Sequence, residues 1–575
     1  MHLVPRQTST EPYEVPPSQQ FDGNDGSWST FKISIGTPAQ EFRVLASTRS
    51  GQTFTVVPGG CQSDIDPPDC ANLRGAQVFN SAQSPGFLAN ESDTWSMIGQ
   101  YDIDLEDGLN YTSRGLFGYD KVALGPVGDS GELSLDKQVV GGVADMAYYL
   151  GHIPLGVTES KFSSQSASNE PLIYQLRNTS NIPSISFSYT AGAKYRLKSV
   201  VGQLILGGYD PTRFRPNAND FSFSFSTDPS RLLTVGVDSI IATDTLKGTQ
   251  SLSSSAHFSL IDSTVPHLWL PRDICDAFEE AFGLTYDSQT DLYLINSTMR
   301  DQLQARNPSI TIKLIDSLEG AATNFSNIVL PYSAFDLQAS YPYYENATRY
   351  FPIRRAANDS QYTLGRTMLQ EAYLIVDYER ANFTLAQAAF TDPLPSANIL
   401  TIYPPGFSSA TSNSRLSTAA KAGIAIACIA FAILTAFVYL FYRRRRRRSA
   451  HKNPSELGGR PISEAASSAV APTAPRKLSG PQELSGTPRA ELAGPVYEKP
   501  CVSVNIIPQE LETPVSTMRP RFEEVTVDEY VSYRSREGVG VDGSTGISGV
   551  ESQVSDDGRQ SVVSPLSGRF HERDT

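Results

Sequence analysis

The sequence predicts a mostly β, two-lobed domain, followed by one membrane-spanning helix and a disordered tail. Three observations carry the prediction. Two apolar strands far apart in the chain each run into the same hydroxyl-rich turn: FRVLASTRSGQTFTVVP (Phe42–Pro58) and FSLIDSTVPHLWLP (Phe258–Pro271). Each has an apolar strand, Ser or Asp, a hydroxyl residue, and a second apolar strand ending in Pro, which is one device repeated in two lobes. No charge occurs between Ala422 and Tyr442, and six arginines follow at once, Arg443 to Arg448. Glycan acceptor sequons are confined to the part before that segment.

The elements follow in chain order. Residues 1–26 are rich in Pro, Ser, Gln and Glu and read as a flexible N-terminal segment. MHLVPRQTST holds no apolar run long enough for a signal peptide, so a truncated start is expected. Residues 27–390 form the globular ectodomain. FKISI (Phe31–Ile35) alternates apolar and polar and is followed by Gly36-Thr37-Pro38, a turn. FSFSFS (Phe221–Ser226) alternates again, and Asp273–Gly283 is the clearest short helix. Residues 391–420 are a Ser/Thr/Pro-rich stalk. Residues 422–442 match the roughly 20 apolar residues that cross a bilayer, and the arginines mark the cytoplasmic side and meet anionic lipid. Because residues 443–575 follow the apolar segment, a glycolipid-anchor signal is excluded. That last segment has too few apolar residues to offset its ordering entropy and reads as a disordered cytoplasmic tail.

Composition narrows the function. The chain has 575 residues, 47 Lys+Arg against 61 Asp+Glu, and a net charge of −14. That balance excludes a nucleic-acid binder. Of the five cysteines, Cys61 and Cys70 lie close together in a Gly/Pro/Asp-rich stretch, where a small disulfide loop fits an extracytoplasmic domain, and Cys275 reads as a buried free thiol. No Cys/His group has metal-ligand spacing, so neither metal nor cofactor is expected. The sequons stand at Asn90, Asn110, Asn178, Asn296, Asn324, Asn346, Asn358 and Asn382.

Five segments in order carry a resemblance. They are Ser27–Thr48, with I-G-T-P-x-Q intact; the Cys61/Cys70 pair; Gly115–Gly125; Gly202–Phe214, GQLILGGYDPTRF; and Tyr362–Ala388, with L-G-x-x-x-L and V-x-D. Together they resemble the pepsin-like aspartic protease family (peptidase A1 type), in the manner of its membrane-anchored fungal-type members. The resemblance implies a bilobal acid-protease fold, a disulfide loop after the first active-site turn, and a β-hairpin flap over a peptide cleft. It also implies two aspartates, one per lobe, sharing a proton across a water molecule. Such a pair works because like charges that close cannot both ionise.

Carried over residue by residue, the match is degenerate. Asp262 keeps the acid of the second lobe and Ser263 its hydroxyl, but Thr264 replaces glycine. In the first lobe Ser47 replaces the acid, Thr48 keeps the hydroxyl, and Arg49 replaces glycine. Losing one general acid/base costs about 10²- to 10⁴-fold in rate, and here the missing group also holds the water. Arg49 is expected to pair with Asp262. Tyr111 takes the flap-tyrosine position, with a shortened tip and a sequon at Asn110 that places a glycan over the cleft mouth. Asp129-Ser130-Gly131 matches the motif literally but lacks the entering apolar strand. His267 is expected at the edge of the core rather than as a base for Ser47.

These readings give a single-pass membrane glycoprotein at the cell surface or in the vacuole. Its pepsin-like domain is expected to be an inactive pseudoprotease binding a peptide or protein ligand in its cleft. The alternatives are an active membrane-anchored aspartic endopeptidase and a purely structural surface glycoprotein. The tail motifs Val496–Pro500 and Asp528–Ser535 are candidate sites for cytoplasmic partners.

Overall fold

The structure is a computed structural model. It describes residues 11–109, 111–128, 132–163, 166–319, 324–407 and 434–445.

Three sheets organise the main unit. The first-lobe sheet has eight strands in the order Pro17–Asp22, Trp28–Ile35, Gln40–Ser47, Gly151–Pro154, Thr53–Val56, Leu133–Val143, Tyr111–Leu124 and Ser96–Glu106. The second-lobe sheet also has eight strands, centred on Thr234–Thr245, His257–Ile261, Thr363–Leu364, Leu268–Leu270 and Ile353–Arg355. A seven-stranded sheet takes strands from both halves of the chain, with Ser186–Thr190 beside Ala372–Asp377 at its centre. Its strands are buried almost throughout and lack alternation, as strands covered on both faces do. One continuous apolar core runs through both lobes, from Phe31 and Val44 to Leu260, Ile312 and Phe351.

The two repeated turns owe their position to a crossing shared by both lobes. Gln40–Ser47 and Thr53–Val56 leave the first turn separated by a third strand, Gly151–Pro154, parallel to the former. In the second lobe Thr363–Leu364 separates His257–Ile261 from Leu268–Leu270 in the same way. The inserted strand approaches the turn so closely that only glycine fits. A Cβ on Gly156 would lie 2.1 Å from the Arg49 carbonyl oxygen, and one on Gly365 would lie 2.4 Å from that of His267.

The expected helix is present as Arg272–Phe282, ended by Gly283 in the left-handed region at φ 64°. It buries Ile274, Cys275, Phe278, Ala281 and Phe282, where each large apolar side chain stabilises by about 1.5–3 kcal/mol. Cys275 is a buried free thiol, its pKa pushed up to about 12 by burial, and Cys61–Cys70 is a disulfide with Cα atoms 5.8 Å apart.

Four expectations need correction or restriction. Residues 11–26 are not loose. Tyr13–Glu14 pairs with Gln203–Leu206, Pro17–Asp22 pairs with Trp28–Ile35, and Val15 is fully buried. Local composition was overridden by strand pairing available only in the folded chain. The first half of the expected stalk is likewise fastened down: Leu400–Thr401 pairs with Gly208–Tyr209, and Ser184 Oγ donates to the Ile402 carbonyl at 2.5 Å. His267 is fully buried rather than at the core edge, and it precedes the strand instead of lying in it. Residues 434–445 are helical with exposed apolar side chains, and among the described residues no helix is long and apolar enough to cross a membrane. Residues 422–433 of the expected span, residues 446–575 of the tail, Asn110 and Asp129-Ser130-Gly131 lie outside the described residues.

Candidate active site

The chain folds the two turns against each other. The Thr48 N–H donates to Ser263 Oγ at 3.0 Å, and the Ser263 N–H donates to Thr48 Oγ1 at 3.0 Å. Ser263 Oγ donates to the Ala46 carbonyl at 2.7 Å. Both turns leave backbone groups that no ladder can use, and each supplies the partner of the other. The grip holds the first turn against the second, and Ser47 and Asp262 both have no exposed surface.

Asp262 Oδ1 accepts the Thr264 N–H at 2.8 Å, while Oδ2 is buried without a hydrogen-bond partner. Across the junction Ser47 Oγ accepts the Ser50 N–H at 3.0 Å and shares a hydrogen bond with Thr264 Oγ1 at 2.7 Å. The two departures from the family pattern therefore touch: the residue that replaces an acid bonds the residue that replaces a glycine. The cation expected on this floor has company. Arg49 is half-buried, and its field acts on Arg231, which also feels Asp228, Asp262 and Asp359. Burial and Arg49 lower the pKa of Arg231.

Behind the floor stands Arg366, which sequence reasoning missed. Its Nη1 donates to the Ser263 and Thr264 carbonyls, its Nη2 lies 3.6 Å from Asp25 Oδ1, and its guanidinium stacks 4.9 Å from the Trp28 ring. Trp28 Nε1 in turn donates to Asp25 Oδ1 at 2.6 Å. One arginine thus ties the second turn to the cleft wall. Beside it a pocket enclosing about 520 Å³, partly open to solvent, is walled by Trp28, Tyr148, Tyr149, His152, Tyr111 and Tyr343. Burial, with Arg366 nearby, lowers the His152 pKa to about 3. A rare Trp and an Arg inside the L-G-x-x-x-L run were the available signals.

The flap hairpin, Ser96–Glu106 with Tyr111–Leu124, closes over this floor. Its tip reaches the other lobe. Leu109 is buried against Val265 and Trp269, Tyr111 meets the Trp269 ring edge-on at 6.5 Å, and Gln361 Nε2 donates to the Gly108 carbonyl at 2.8 Å.

The chemistry available is limited. A serine hydroxyl is neutral and already bonded on both sides, so one carboxylate faces the position where the family uses two. Nor is Ser47 set up as a nucleophile, since Ser50 and Thr264 are its side-chain partners and His267 is buried with neither ring nitrogen hydrogen-bonded. Among the described residues no cluster of acids, histidines and cysteines could hold a metal. A sequence model described as eukaryotic aspartyl protease matches residues 30–388. No curated protein matches the chain.

Proposed function

The chain belongs to the eukaryotic aspartyl protease family, and from that premise we propose that it is a pseudoprotease, a peptide-binding membrane glycoprotein without hydrolytic activity. The observation that carries the proposal is the 2.7 Å hydrogen bond between Ser47 and Thr264 on the cleft floor. It stands in place of the second carboxylate, and Asp262 by itself cannot both take a proton from water and give one to the scissile amide. The reciprocal grip of Thr48 and Ser263 is kept, so the cleft keeps its shape while losing its acid pair. A preserved cleft without its catalytic pair suits recognition of an extended chain.

Anchoring rests on the uncharged segment 422–442 and the arginines that follow. Glycosylation is supported by the exposure of Asn90, Asn178, Asn296, Asn324, Asn346 and Asn358, with Asn382 half-buried. The domain then faces the cell exterior or a lumen.

The test is cleavage of casein and haemoglobin by the full-length chain between pH 3 and pH 6, beside an Asp262→Asn control. No difference between the two is expected. Pepstatin-sensitive cleavage that disappears in Asp262→Asn would restore the reading of an active endopeptidase.

A further inference from the structure

Among the described residues four arginines are buried: Arg43, Arg74, Arg354 and Arg366. Three are matched. Arg43 pairs with Asp22 at 3.0 Å, Arg366 faces Asp25, and Arg74 donates to five backbone carbonyls, those of Gly60, Ala144, Asp145, Tyr148 and Tyr149. Arg354 is the exception. It is 8% exposed, and among the described residues no carboxylate forms an ion pair with it. Its Nη2 makes one long bond, 3.3 Å to the Thr290 carbonyl, and its Nε is buried without a partner.

Its position is under the flap. Arg354 lies across from Trp269 in the parallel pairing of Leu268–Leu270 with Ile353–Arg355. Its guanidinium stands 5.4 Å from the Trp269 ring and 6.0 Å from the Tyr343 ring. Trp269 meets Tyr111 of the flap edge-on, and Tyr343 lines the same pocket as Tyr111. Burial opposes its charge and the carboxylate of Asp291 favours it. A cation buried between aromatic faces with an unused N–H is costly unless a counter-charge arrives from outside.

We propose that Arg354 is the anchor of the cleft for an anionic side chain on an extended peptide, held between the Trp269 and Tyr343 rings once the flap tip lifts. The proposal rests on the peptide-binding reading above and names the chemistry that the cleft selects. A carboxylate and a phosphate each present a pair of anionic oxygens that the guanidinium fork can bond side by side.

The experiment uses the full-length chain in detergent and fluorescence polarisation with labelled decapeptide pools. The pools are randomised at every position except a central one, fixed as Glu, phosphoserine, Gln or Lys. The Glu or the phosphoserine pool is expected to bind about ten- to a hundredfold more tightly than the Gln pool, and whichever leads identifies the source of the charge. In Arg354→Gln the anionic preference is lost, so that the Glu and phosphoserine pools bind that variant no more tightly than the Gln pool does. In Arg354→Lys, where the cation remains, much of the preference is kept. Equal binding of all pools by the unmodified chain overturns the Arg354 assignment and leaves the cleft a peptide site. Binding of no pool overturns the peptide-binding reading together with it. Should Arg354→Gln fail to fold, judged by its far-ultraviolet circular dichroism, the comparison of pools on the unmodified chain and on Arg354→Lys decides.

Discussion

Consider replacing Thr264 by Gly and Ser47 by Asp, separately and together. The Thr264 side chain is 7% exposed and bonds Ser47 Oγ at 2.7 Å. Removing it loses a hydrogen bond worth about 1 kcal/mol and leaves part of the Ser47 hydroxyl unsatisfied. It also opens a small cavity and adds a glycine, together about 1–2 kcal/mol more. Thr264→Gly is therefore expected to destabilise the domain by about 2–3 kcal/mol. Ser47→Asp forces a carboxylate against Thr264 Oγ1 in a fully buried position, where the Thr264 N–H already holds Asp262. Overpacking by itself costs about 1–3 kcal/mol, and the second charge adds to it. In the double variant the carboxylate enters the space that the threonine leaves, and the two acids can share a proton. The double variant should then be more stable than the sum of the singles by about 1–3 kcal/mol. Urea unfolding followed by tryptophan fluorescence measures the cycle. Additivity within about 0.5 kcal/mol would show that Ser47 and Thr264 are not a compensating pair and would refute the reasoning. Adding Arg49→Gly to the double variant tests whether acid proteolysis of casein is regained.

Two further expectations concern stability. The His152 pKa is depressed to about 3 by burial, so between about pH 6.5 and pH 3 the unfolded chain binds a proton that the folded chain refuses. The stability of the unmodified domain therefore falls as pH drops through that window, by up to about 1.4 kcal/mol per pH unit from this group, and His267 acts in the same direction. His152→Leu should flatten the acid limb of a melting-temperature against pH curve, and an unchanged limb would remove His152 as its cause. Arg74 holds the disulfide loop to the segment that carries Tyr148 and Tyr149 into the cleft. Arg74→Met should cost at least about 3 kcal/mol, and Arg74→Lys should rescue little because an ammonium cannot reproduce a five-donor planar fork. Thermal melting checks both, and a lysine variant as stable as the original would contradict the account.

Much of the site was legible because its signals are local. Ser47, Thr48, Asp262 and Ser263 sit in short apolar-strand-and-turn segments whose repetition marks two equivalent positions, and the structure brings all four together. The helix Arg272–Phe282 was legible by its apolar period and its terminal glycine, whereas Ser297–Arg306 was not, because it buries only Leu303 and has almost no amphipathic signal. The strands Tyr13–Glu14 and Leu400–Thr401 escaped notice because their partners, Gln203–Leu206 and Gly208–Tyr209, lie elsewhere in the chain.

By itself, the sequence determined the family and the place of the disulfide, since each depends on which residue occupies a numbered position in a motif. Only the tertiary structure decided that Ser47 and Thr264 bond each other, that Arg366 braces the second turn against Asp25 and Trp28, and that Arg354 is buried with its Nε unbonded among the described residues. The physical reason is separation along the chain. Hydrogen bonds and charge pairing act over a few ångströms, and the residues concerned come from different lobes or distant strands. Whether a buried polar group finds a partner is fixed by how the strands cross, and local pattern cannot express that.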